Sequence, residues 1–309
     1  MIDFTGQVAI VTGAGRGLGR LYAIEIARRG GAVVVNDLGG TMRGEGSDAS
    51  VADRVVEEIE RAGGVAVASQ DSVASPEGGE AIVRSALERF GRLDAVVSNA
   101  GIFHTAEFDK LALDDWRRML NVHLDGSFHL SQPAFRAMKS QGYGRFVFIA
   151  SSAGLFGQPQ SAHYAAAKAG IVGLANVVAI EGAAHGILAN SVLPFGSSRM
   201  VTETVGGEAV AAQSPFLRAI DPGLVVPIVV FLASRACEFT HHNYSAGAGR
   251  YARVFIGLGE GWLAEPGSRP TADDVAAHLA EVSATEPFRV PASIFEEVAD
   301  LCTRRGIAG

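Results

Sequence analysis

The chain has 309 residues, enough for one large or two ordinary domains with a sizeable core. Hydrophobic residues make up 48% of it and charged residues 19%, values typical of a folded globular protein and not of a disordered chain. The formal net charge of −7 argues against a general nucleic-acid-binding protein.

Metal sites and targeting segments are not indicated by the sequence. Cys237 and Cys302 are far apart, and no histidine or cysteine pattern has metal-ligand spacing, so we predict neither a disulfide framework nor a metal centre. The first residues lack the basic region of a secretory signal, and the apolar run at 224–233 is too short to cross a bilayer. The last three residues are not a peroxisomal address. We therefore expect a cytoplasmic protein with no membrane partner.

A glycine-rich turn follows the first predicted strand, residues 8–11. The segment 12–19 reads T-G-A-G-R-G-L-G, and an amphipathic helical pattern comes next. In this context Gly13, Gly17 and Gly19 would allow a tight turn and close backbone approach to a pyrophosphate. The amides of the following helix N-terminus would bind the same group.

An acidic residue stands where a dinucleotide-binding protein needs one. Asp37 follows the second predicted strand, 32–35, eighteen residues after Gly19, near the spacing of the acid that binds an adenosine ribose diol. A carboxylate there would repel a 2′-phosphate, which favours NAD over NADP. Arg16 can serve a 2′-phosphate and keeps NADP open, and Asp37 could instead be an ordinary turn residue.

Strands and helices then alternate, which predicts a doubly wound parallel α/β sheet of Rossmann type with helices on both faces. Ligands in such folds bind beyond the carboxyl ends of the strands. Residues 39–48 are expected to form a surface loop without assignable chemistry. Asp71 either contacts an adenine amino group or caps a turn, and the small residues at 98–101 would let the chain pass close to a flat ligand. The remaining predicted elements here are helices at 51–61 and 76–90 and strands at 65–68 and 93–97.

A long helix is predicted over 116–137, and it contains Asn121. Asparagine inside a helix is mildly unfavourable and usually makes a local polar contact. The functional alternative is a kink at which its amide holds a water molecule.

Tyr164 and Lys168 lie four positions apart in an alanine-rich helical segment, so phenol and ammonium share one face. A nearby cation favours the phenolate and would make Tyr164 a proton acceptor near neutral pH. With five Tyr and three Lys, this spacing arises by chance about one time in twenty, so it is weak alone. Ser151 strengthens it, because its hydroxyl follows the predicted buried strand 144–150 and could flank the same carbonyl.

The rest of the chain completes the sheet and adds a tail. A strand at 187–193 is expected to end at Pro194, and the Gly- and Ser-rich loop near 195–220 has the character of a mobile lid over a substrate. We predict one dehydrogenase domain over 1–250 and a C-terminal extension, 251–309, packed on the same domain. Minor elements are a helix at 221–234, a strand at 244–249, and tail helices at 271–282 and 292–302.

As an ordered set, these motifs resemble the short-chain dehydrogenase/reductase superfamily over about the first 250 residues. The resemblance implies that Tyr164 is the general acid/base and that Lys168 holds the nicotinamide ribose and depresses the phenol pKa. It also implies that Ser151 binds the substrate oxygen and that Asn121 anchors a proton-relay water. The implied cofactor contacts are Gly13, Arg16, Gly17, Leu18, Gly19, Asp37, Asp71, Ser72, Asn99, Ala100, Gly101, Tyr164, Lys168, Pro194 and Gly196.

A narrower likeness is to the (3R)-hydroxyacyl-CoA dehydrogenase part of peroxisomal multifunctional β-oxidation enzymes, also described as 17β-hydroxysteroid dehydrogenases. It is carried by residues 33–40, 143–157 and 196–204 together with the tail. It implies an NAD-dependent dehydrogenase of a 3-hydroxyacyl-CoA, whose acyl group could be bulky or steroid-derived. The chain departs from that relative because hydratase and sterol-carrier parts do not follow, so we expect a stand-alone dehydrogenase. Phe195 departs from the superfamily, where Gly commonly follows the proline.

Two alternatives to this function stay open. One is a dehydrogenase of free sterols or other secondary alcohols, and the other is a sensor that binds NAD(H) without turnover. Superfamily members usually pair through two long helices, so the resemblance also implies a homodimer or homotetramer.

Overall fold

The computed structural model describes residues 1–196 and 214–307. The chain forms two compact units, Met1–Arg253 and Val254–Gly309. The first unit is built on an eight-stranded sheet with the strand order β3-β2-β1-β4-β5-β6-β7-β8. The strands are β1 Val8–Thr12, β2 Ala32–Asn36, β3 Val65–Ser69, β4 Ala95–Ser98, β5 Gly144–Ile149, β6 Ile187–Phe195, β7 His242–Gly247 and β8 Arg250–Val254.

Neighbouring strands from β3 to β7 run parallel, and the strand order reverses between β1 and β4. This confirms the predicted doubly wound sheet and places a ligand crevice at the β1/β4 switch point. The helices of the first unit are α1 Gly17–Arg28, α2 Ser50–Arg61, α3 Pro76–Phe90, α4 Leu113–Leu120, α5 Gly126–Gln141, α6 Ser152–Phe156, α7 Ala162–Gly182, α8 Pro215–Ala219 and α9 Val226–Ala233.

The helices cover both faces of the sheet. Helices α1, α2 and α9 share one core cluster, while α3, α5 and α7 pack against one another on the opposite face. Every residue of β1, β4 and β5 is buried, as expected for parallel strands that are covered on both faces. Their apolar, β-branched composition is therefore required by packing on two sides, and their polar groups appear where the strands end.

The ends of α3 were predicted correctly because local signals fix both of them. Ser75 accepts a hydrogen bond from the amide of Gly78 at 3.1 Å, and Pro76 occupies the first helical position. The helix stops at Gly91, whose φ of +76° is readily adopted by glycine.

The single helix predicted over 116–137 is divided in the structure. Helices α4 and α5 are joined by a π-helical turn, Asn121–Asp125. The turn is tied to the sheet because the Ser127 hydroxyl donates to the carbonyl of His123 at 2.7 Å and accepts from the Ser98 hydroxyl at 3.1 Å. Such π-turns frequently mark functional sites.

Strand β6 continues through Pro194 instead of ending before it. Strand β5 stops at Ile149, which pairs with Val192, whereas Pro194 still pairs with Ala246 of β7. Alternate residues of a strand turn their backbone groups to the same side, so the nitrogen of Pro194 points where β5 has already ended. Its missing N–H therefore leaves no acceptor of β5 unpaired.

The stretch Ala162–His185, which contains α7, is long and apolar enough to cross a membrane by length and composition, with a mean hydropathy of 1.3. This stretch was not singled out from the sequence. Apolar core helices pass the same test, and α7 packs against β6 and α6. About two fifths of the apolar window, 39%, is buried, and a single helix of this kind does not establish a membrane span.

The second unit contains short elements: strands β9 Leu258–Gly259 and β10 Phe288–Arg289, which pair antiparallel, and helices α10 Ala272–Ala277, α11 Leu279–Val282 and α12 Ile294–Arg305. Thr271 and Asp274 form a capping box at the start of α10. Packing of this unit on the first stays a prediction. Both cysteines are free thiols, Cys237 buried in the first unit and Cys302 partly exposed on α12.

Candidate active site

One cavity of about 780 Å³ lies beyond the carboxyl ends of the central strands. It joins the glycine turn after β1 to Ser151 after β5 and to Tyr164 and Lys168 on α7. The two groups of residues that the sequence singled out separately thus line a single space. All predicted cofactor contacts line it, namely Gly13, Arg16, Gly17, Leu18, Gly19, Asp37, Asp71, Ser72, Asn99, Ala100, Gly101, Tyr164, Lys168, Pro194 and Gly196.

The glycine turn is packed so closely that side chains do not fit. A Cβ on Gly19 would lie 2.2 Å from the carbonyl oxygen of Gly13, and a Cβ on Gly13 would lie 2.8 Å from Cα of Ala100. Gly13 also has a φ of +62°. These positions therefore form a cradle of bare backbone at the N-terminus of α1, the geometry that binds a pyrophosphate.

The turn is joined to the end of β4. The hydroxyl of Thr12 accepts hydrogen bonds from the amides of Asn99 and Ala100, each at 3.0 Å. The side-chain amide of Asn99 donates to the carbonyl of Thr12 at 2.9 Å. Asn99 thus holds the two sides of the switch point together.

Asp37 is a turn residue that also lines the cavity, so its binding of a ribose stays a prediction. One carboxylate oxygen accepts from the amide of Gly15 at 2.8 Å and the other from the amide of Gly39 at 2.7 Å, so the residue organises two turns. Each carboxylate oxygen can accept a further hydrogen bond, and the residue lines the cavity. Arg16 is exposed and donates to the carbonyl of Gly40 at 3.3 Å.

Asp71 lines the cavity, and its carboxylate caps no turn among the described residues. Its carboxylate accepts from the Ser69 hydroxyl at 3.0 Å, and its carbonyl accepts from the side chain of Asn36 at 2.9 Å. The hydroxyl of Ser72 accepts from the amide of Ala74 at 3.2 Å. Both residues therefore have structural contacts that fix them in the cavity wall.

Ser151, Tyr164 and Lys168 converge as predicted. Ser151 is the N-cap of α6, and its hydroxyl accepts from the amide of Ala153 at 3.2 Å. Tyr164 is 9% exposed and Lys168 4% exposed. The Lys168 ammonium donates to the carbonyl of Ile149 at 2.6 Å and lies 5.7 Å from the centre of the Tyr164 ring. The last residue of β5 therefore anchors the lysine, and the hydroxyl lies two residues beyond the strand.

The pKa values differ from the expectation that Lys168 depresses the phenol pKa. Burial raises the pKa of Tyr164, and the Ser151 hydroxyl partly offsets this rise. Burial also lowers the pKa of Lys168 to about 7, which weakens it as a cation. In the chain alone Tyr164 is therefore protonated at neutral pH, and a phenolate needs an additional positive charge in the cavity.

Asn121 does not belong to this site. Its side chain is exposed and is not part of the cavity wall. The π-turn that begins at Asn121 directs His123 inward instead, where it is 1% exposed and lines the cavity. The prediction assumed a regular helix, whereas the π-turn inserts an extra residue and changes which side chain points into the cavity.

The loop 39–48, for which the sequence indicated no chemistry, contributes to the cavity wall through Gly40, Thr41, Met42 and Gly44. The amide of Phe103 donates to the carbonyl of Met42 at 2.9 Å, and Arg118 pairs with Glu45 at 3.5 Å. Phe103, also missed, packs edge-on against Tyr164 with ring centres 5.0 Å apart. No local pattern predicted these contacts between distant segments.

His104 and His163 form an imidazole pair outside the cavity wall. His163 is fully buried, and its Nε2 lies 3.2 Å from Nε2 of His104, which in turn is 3.5 Å from Asp115. Neither imidazole lines the cavity. Most of the predicted lid falls in 197–213, outside the described residues, but Phe195 and Ile220 on either side of it line the cavity.

The cavity fits a nicotinamide dinucleotide. Its glycine cradle would receive the pyrophosphate and Asp37 would bind the adenosine ribose, while Lys168 lies 5.7 Å from the centre of the Tyr164 ring. A partly buried Ser151 together with buried Tyr164 and Lys168, next to such a cradle, is the arrangement of an oxidoreductase that acts on CH–OH groups.

Comparison with known proteins agrees. Residues 7–206 match the family model described as short chain dehydrogenase, and the chain belongs to this family, which generally uses NAD or NADP. Over 248 residues it is 46% identical to the mouse peroxisomal multifunctional enzyme type 2, covering 80% of this chain but 32% of that protein.

Two solved structures are similar over nearly the whole chain. The full-length peroxisomal multifunctional enzyme type 2 of Drosophila melanogaster aligns with a TM-score of 0.82 and 32% identity, covering 99% of this chain and 50% of that one. A short chain dehydrogenase of Mycobacterium avium aligns with a TM-score of 0.77 and 32% identity, covering 91% and 96%. The chain thus spans about half or less of the multifunctional relatives that it matches.

Proposed function

We propose that this protein is an NAD-dependent dehydrogenase that oxidises the hydroxyl of a 3-hydroxyacyl-CoA to a ketone. The observation that carries the proposal is the single cavity in which the glycine cradle and Asp37 share a wall with Ser151, Tyr164 and Lys168. The acyl-CoA substrate is supported by the similarity to multifunctional enzymes of peroxisomes.

The residues of the site account for the proton chemistry. A bound oxidised nicotinamide supplies the hydride acceptor and a positive charge beside the phenol. Ser151 donates a hydrogen bond to the substrate oxygen, and Tyr164 removes the hydroxyl proton. Lys168, held by the carbonyl of Ile149, keeps a second positive charge near Tyr164 when it is protonated.

The preference for NAD rests on Asp37. Its carboxylate is held in the cavity wall by the amides of Gly15 and Gly39, so it cannot turn away from a 2′-phosphate without losing both hydrogen bonds. A fixed negative charge there repels the additional phosphate of NADP.

The apolar side chains of the wall favour a second candidate, a dehydrogenase of free sterols or other bulky secondary alcohols. Ile102, Phe103, Val122 and Phe156 line the cavity beyond Tyr164. Such a surface accepts a large hydrocarbon substrate whether or not a CoA group is attached.

Turnover distinguishes these substrates. Purified protein with NAD⁺ is given both enantiomers of a 3-hydroxyacyl-CoA, the free hydroxy acid and a free hydroxysteroid, and reduced nicotinamide is followed by absorbance. We expect one CoA thioester enantiomer to have the highest kcat/KM. Equal or better turnover of the free alcohol would overturn the CoA assignment, and NAD(H) binding without any turnover would indicate a sensor.

Cellular location and oligomeric state are separate proposals. We expect a cytoplasmic homodimer or homotetramer. Microscopy of the tagged full chain tests the first, and light scattering of the purified protein tests the second.

A further inference from the structure

The imidazole of His123 lies inside the active site without an assigned role. It belongs to the π-turn between α4 and α5, is 1% exposed, and lines the same cavity as Tyr164 and Lys168. Buried polar side-chain atoms in proteins usually have at least one hydrogen-bond partner. The contacts of this ring therefore indicate what it does.

One nitrogen of the ring is bound to the chain and the other is not. Nε2 lies 2.7 Å from the carbonyl oxygen of Ile102 and 3.1 Å from the amide nitrogen of the same residue. Nδ1 is buried and has no hydrogen-bond partner among the described residues. Burial, together with the charge of Lys168, lowers the pKa of His123 to about 3. The imidazole is thus neutral throughout the pH range in which the enzyme would work.

The ring also separates two parts of the site. On one side, a Cβ on Gly101 would lie 2.3 Å from Cε1 of His123, so the turn after β4 has a glycine where the imidazole sits. On the other side, the ring packs edge-on against Tyr164, with centres 5.3 Å apart and an interplanar angle of 87°. Phe103 holds the phenol from a second direction in the same edge-on manner.

We propose that His123 is a positioning residue of the dehydrogenase reaction: its neutral imidazole fixes the distance and angle between the Asn99–Ile102 turn and the phenol of Tyr164. The turn and the phenol both line the cavity. A shift of about 1 Å between such groups can lower a rate about 100-fold. The ring acts through Tyr164 and does not itself exchange protons.

Two substitutions of His123 separate positioning from simple packing. His123→Leu keeps an apolar side chain of similar size but cannot bind Ile102, whereas the side-chain amide of His123→Gln can reach the same backbone groups. We expect kcat to fall about 10- to 100-fold in the leucine variant, with the Kd for cofactor changed by less than about twofold. We expect the glutamine variant to recover most of the loss and the kinetic pKa of Tyr164 to shift in the leucine variant only.

His129 provides a matched control, because its imidazole also bonds a backbone carbonyl, that of Val73, but lies outside the cavity wall. His129→Leu should leave kcat and the pH profile unchanged. Full kcat in His123→Leu, or an equal loss in the glutamine variant, would overturn the proposal.

A double-mutant cycle keeps the proposal testable if His123→Leu does not fold. Gly101→Ala in the wild type should push the imidazole away and lower kcat, whereas in a His123→Ala background the added methyl group has room and should have little effect. Additive losses in kcat would contradict the proposed contact.

The inference rests on the dehydrogenase activity proposed above, and the two can fail separately. All assays use the substrate that the wild type turns over, so a wrong substrate class appears as an inactive wild type. A wrong role for His123 appears instead as active His123 variants.

Discussion

Buried ionisable groups occur at both ends of the sheet, but their hydrogen bonding differs. At the amino end, Asp94 is fully buried and accepts hydrogen bonds from the amide of Val8 at 2.8 Å and from Arg92 at 2.6 and 2.7 Å. At the carboxyl end, Lys168 is equally buried yet bonds a single carbonyl, and Nδ1 of His123 bonds nothing among the described residues.

The comparison shows how one fold separates stability from reactivity. A buried charge with all its hydrogen bonds satisfied contributes to the folded state, whereas a buried charge left partly unsatisfied keeps a shifted pKa that chemistry can use. Substitutions at the two ends should therefore affect different measurements.

The largest effect is expected at the carboxyl end, on rate. Tyr164→Phe removes the group that takes the substrate proton and should lower kcat about 10²- to 10⁴-fold. The substitution keeps the buried ring and removes only the hydrogen bond between the phenol and Ser151. The free energy of unfolding should therefore hardly change. Steady-state kinetics measure kcat, and a cofactor titration measures the Kd of the cofactor. Loss of cofactor affinity in parallel with kcat would count against the assigned role.

The amino end should show the opposite behaviour. Asp94→Ala leaves the amide of Val8 and the guanidinium of Arg92 without their partner and should lower the free energy of unfolding by about 3 kcal/mol. Arg92 is 44% exposed, so water partly compensates it. Urea unfolding measures the loss, while kcat per folded molecule should be unchanged. The exposed pair Arg28–Glu25 is a control, since Arg28→Ala should have little effect on stability.

Lys168 tests the comparison by pH. Its pKa is about 7 in the folded chain against an ordinary value of 10.5, so the unfolded chain binds more protons between these values. The resulting penalty on folding is complete below pH 7 and disappears as the pH rises to about 10.5.

Lys168→Met should therefore stabilise the cofactor-free protein by about 2 kcal/mol at pH 6, after an unpaired Ile149 carbonyl offsets part of the gain. The advantage should vanish toward pH 10, and activity should be lost at every pH. Urea unfolding at pH 6 and pH 10 measures the difference in free energy of unfolding between the variant and the wild type. A difference that does not change with pH would mean that burial does not lower the pKa of Lys168.

The smallest expected effect concerns cofactor choice. Asp37→Asn removes the negative charge but keeps an acceptor for Gly15, so the ratio of kcat/KM for NAD over NADP should fall about tenfold. Arg16→Ala should move the ratio the other way. An unchanged ratio in both variants would assign Asp37 to turn structure alone.

The sequence predicted the parts of this molecule that local chemistry determines. The strands that pack on both faces, the glycine turn and the boundaries of α3 all follow from patterns within about fifteen residues. The ordered spacing of Ser151, Tyr164 and Lys168 predicted that these three side chains meet in one site, and they line the same cavity.

The errors lie where tertiary contacts decide. The π-turn that exposes Asn121 and buries His123 is stabilised by Ser127 and Ser98 from another strand end, so no periodicity within the helix predicts it. The loop 39–48 joins the cavity wall through Phe103, which lies more than fifty residues away along the chain. The direction of the Tyr164 pKa depends on burial, which spacing cannot give.

The unequal surroundings of the two thiols offer a labelling strategy. Cys237 is 0% exposed, and burial raises its pKa, so it should resist alkylation in the folded protein. Cys302, partly exposed on α12, should take a maleimide dye in its place. A single fluorophore could thus be attached to the second unit without engineering, and its emission would show whether cofactor binding in the first unit alters the surroundings of the second.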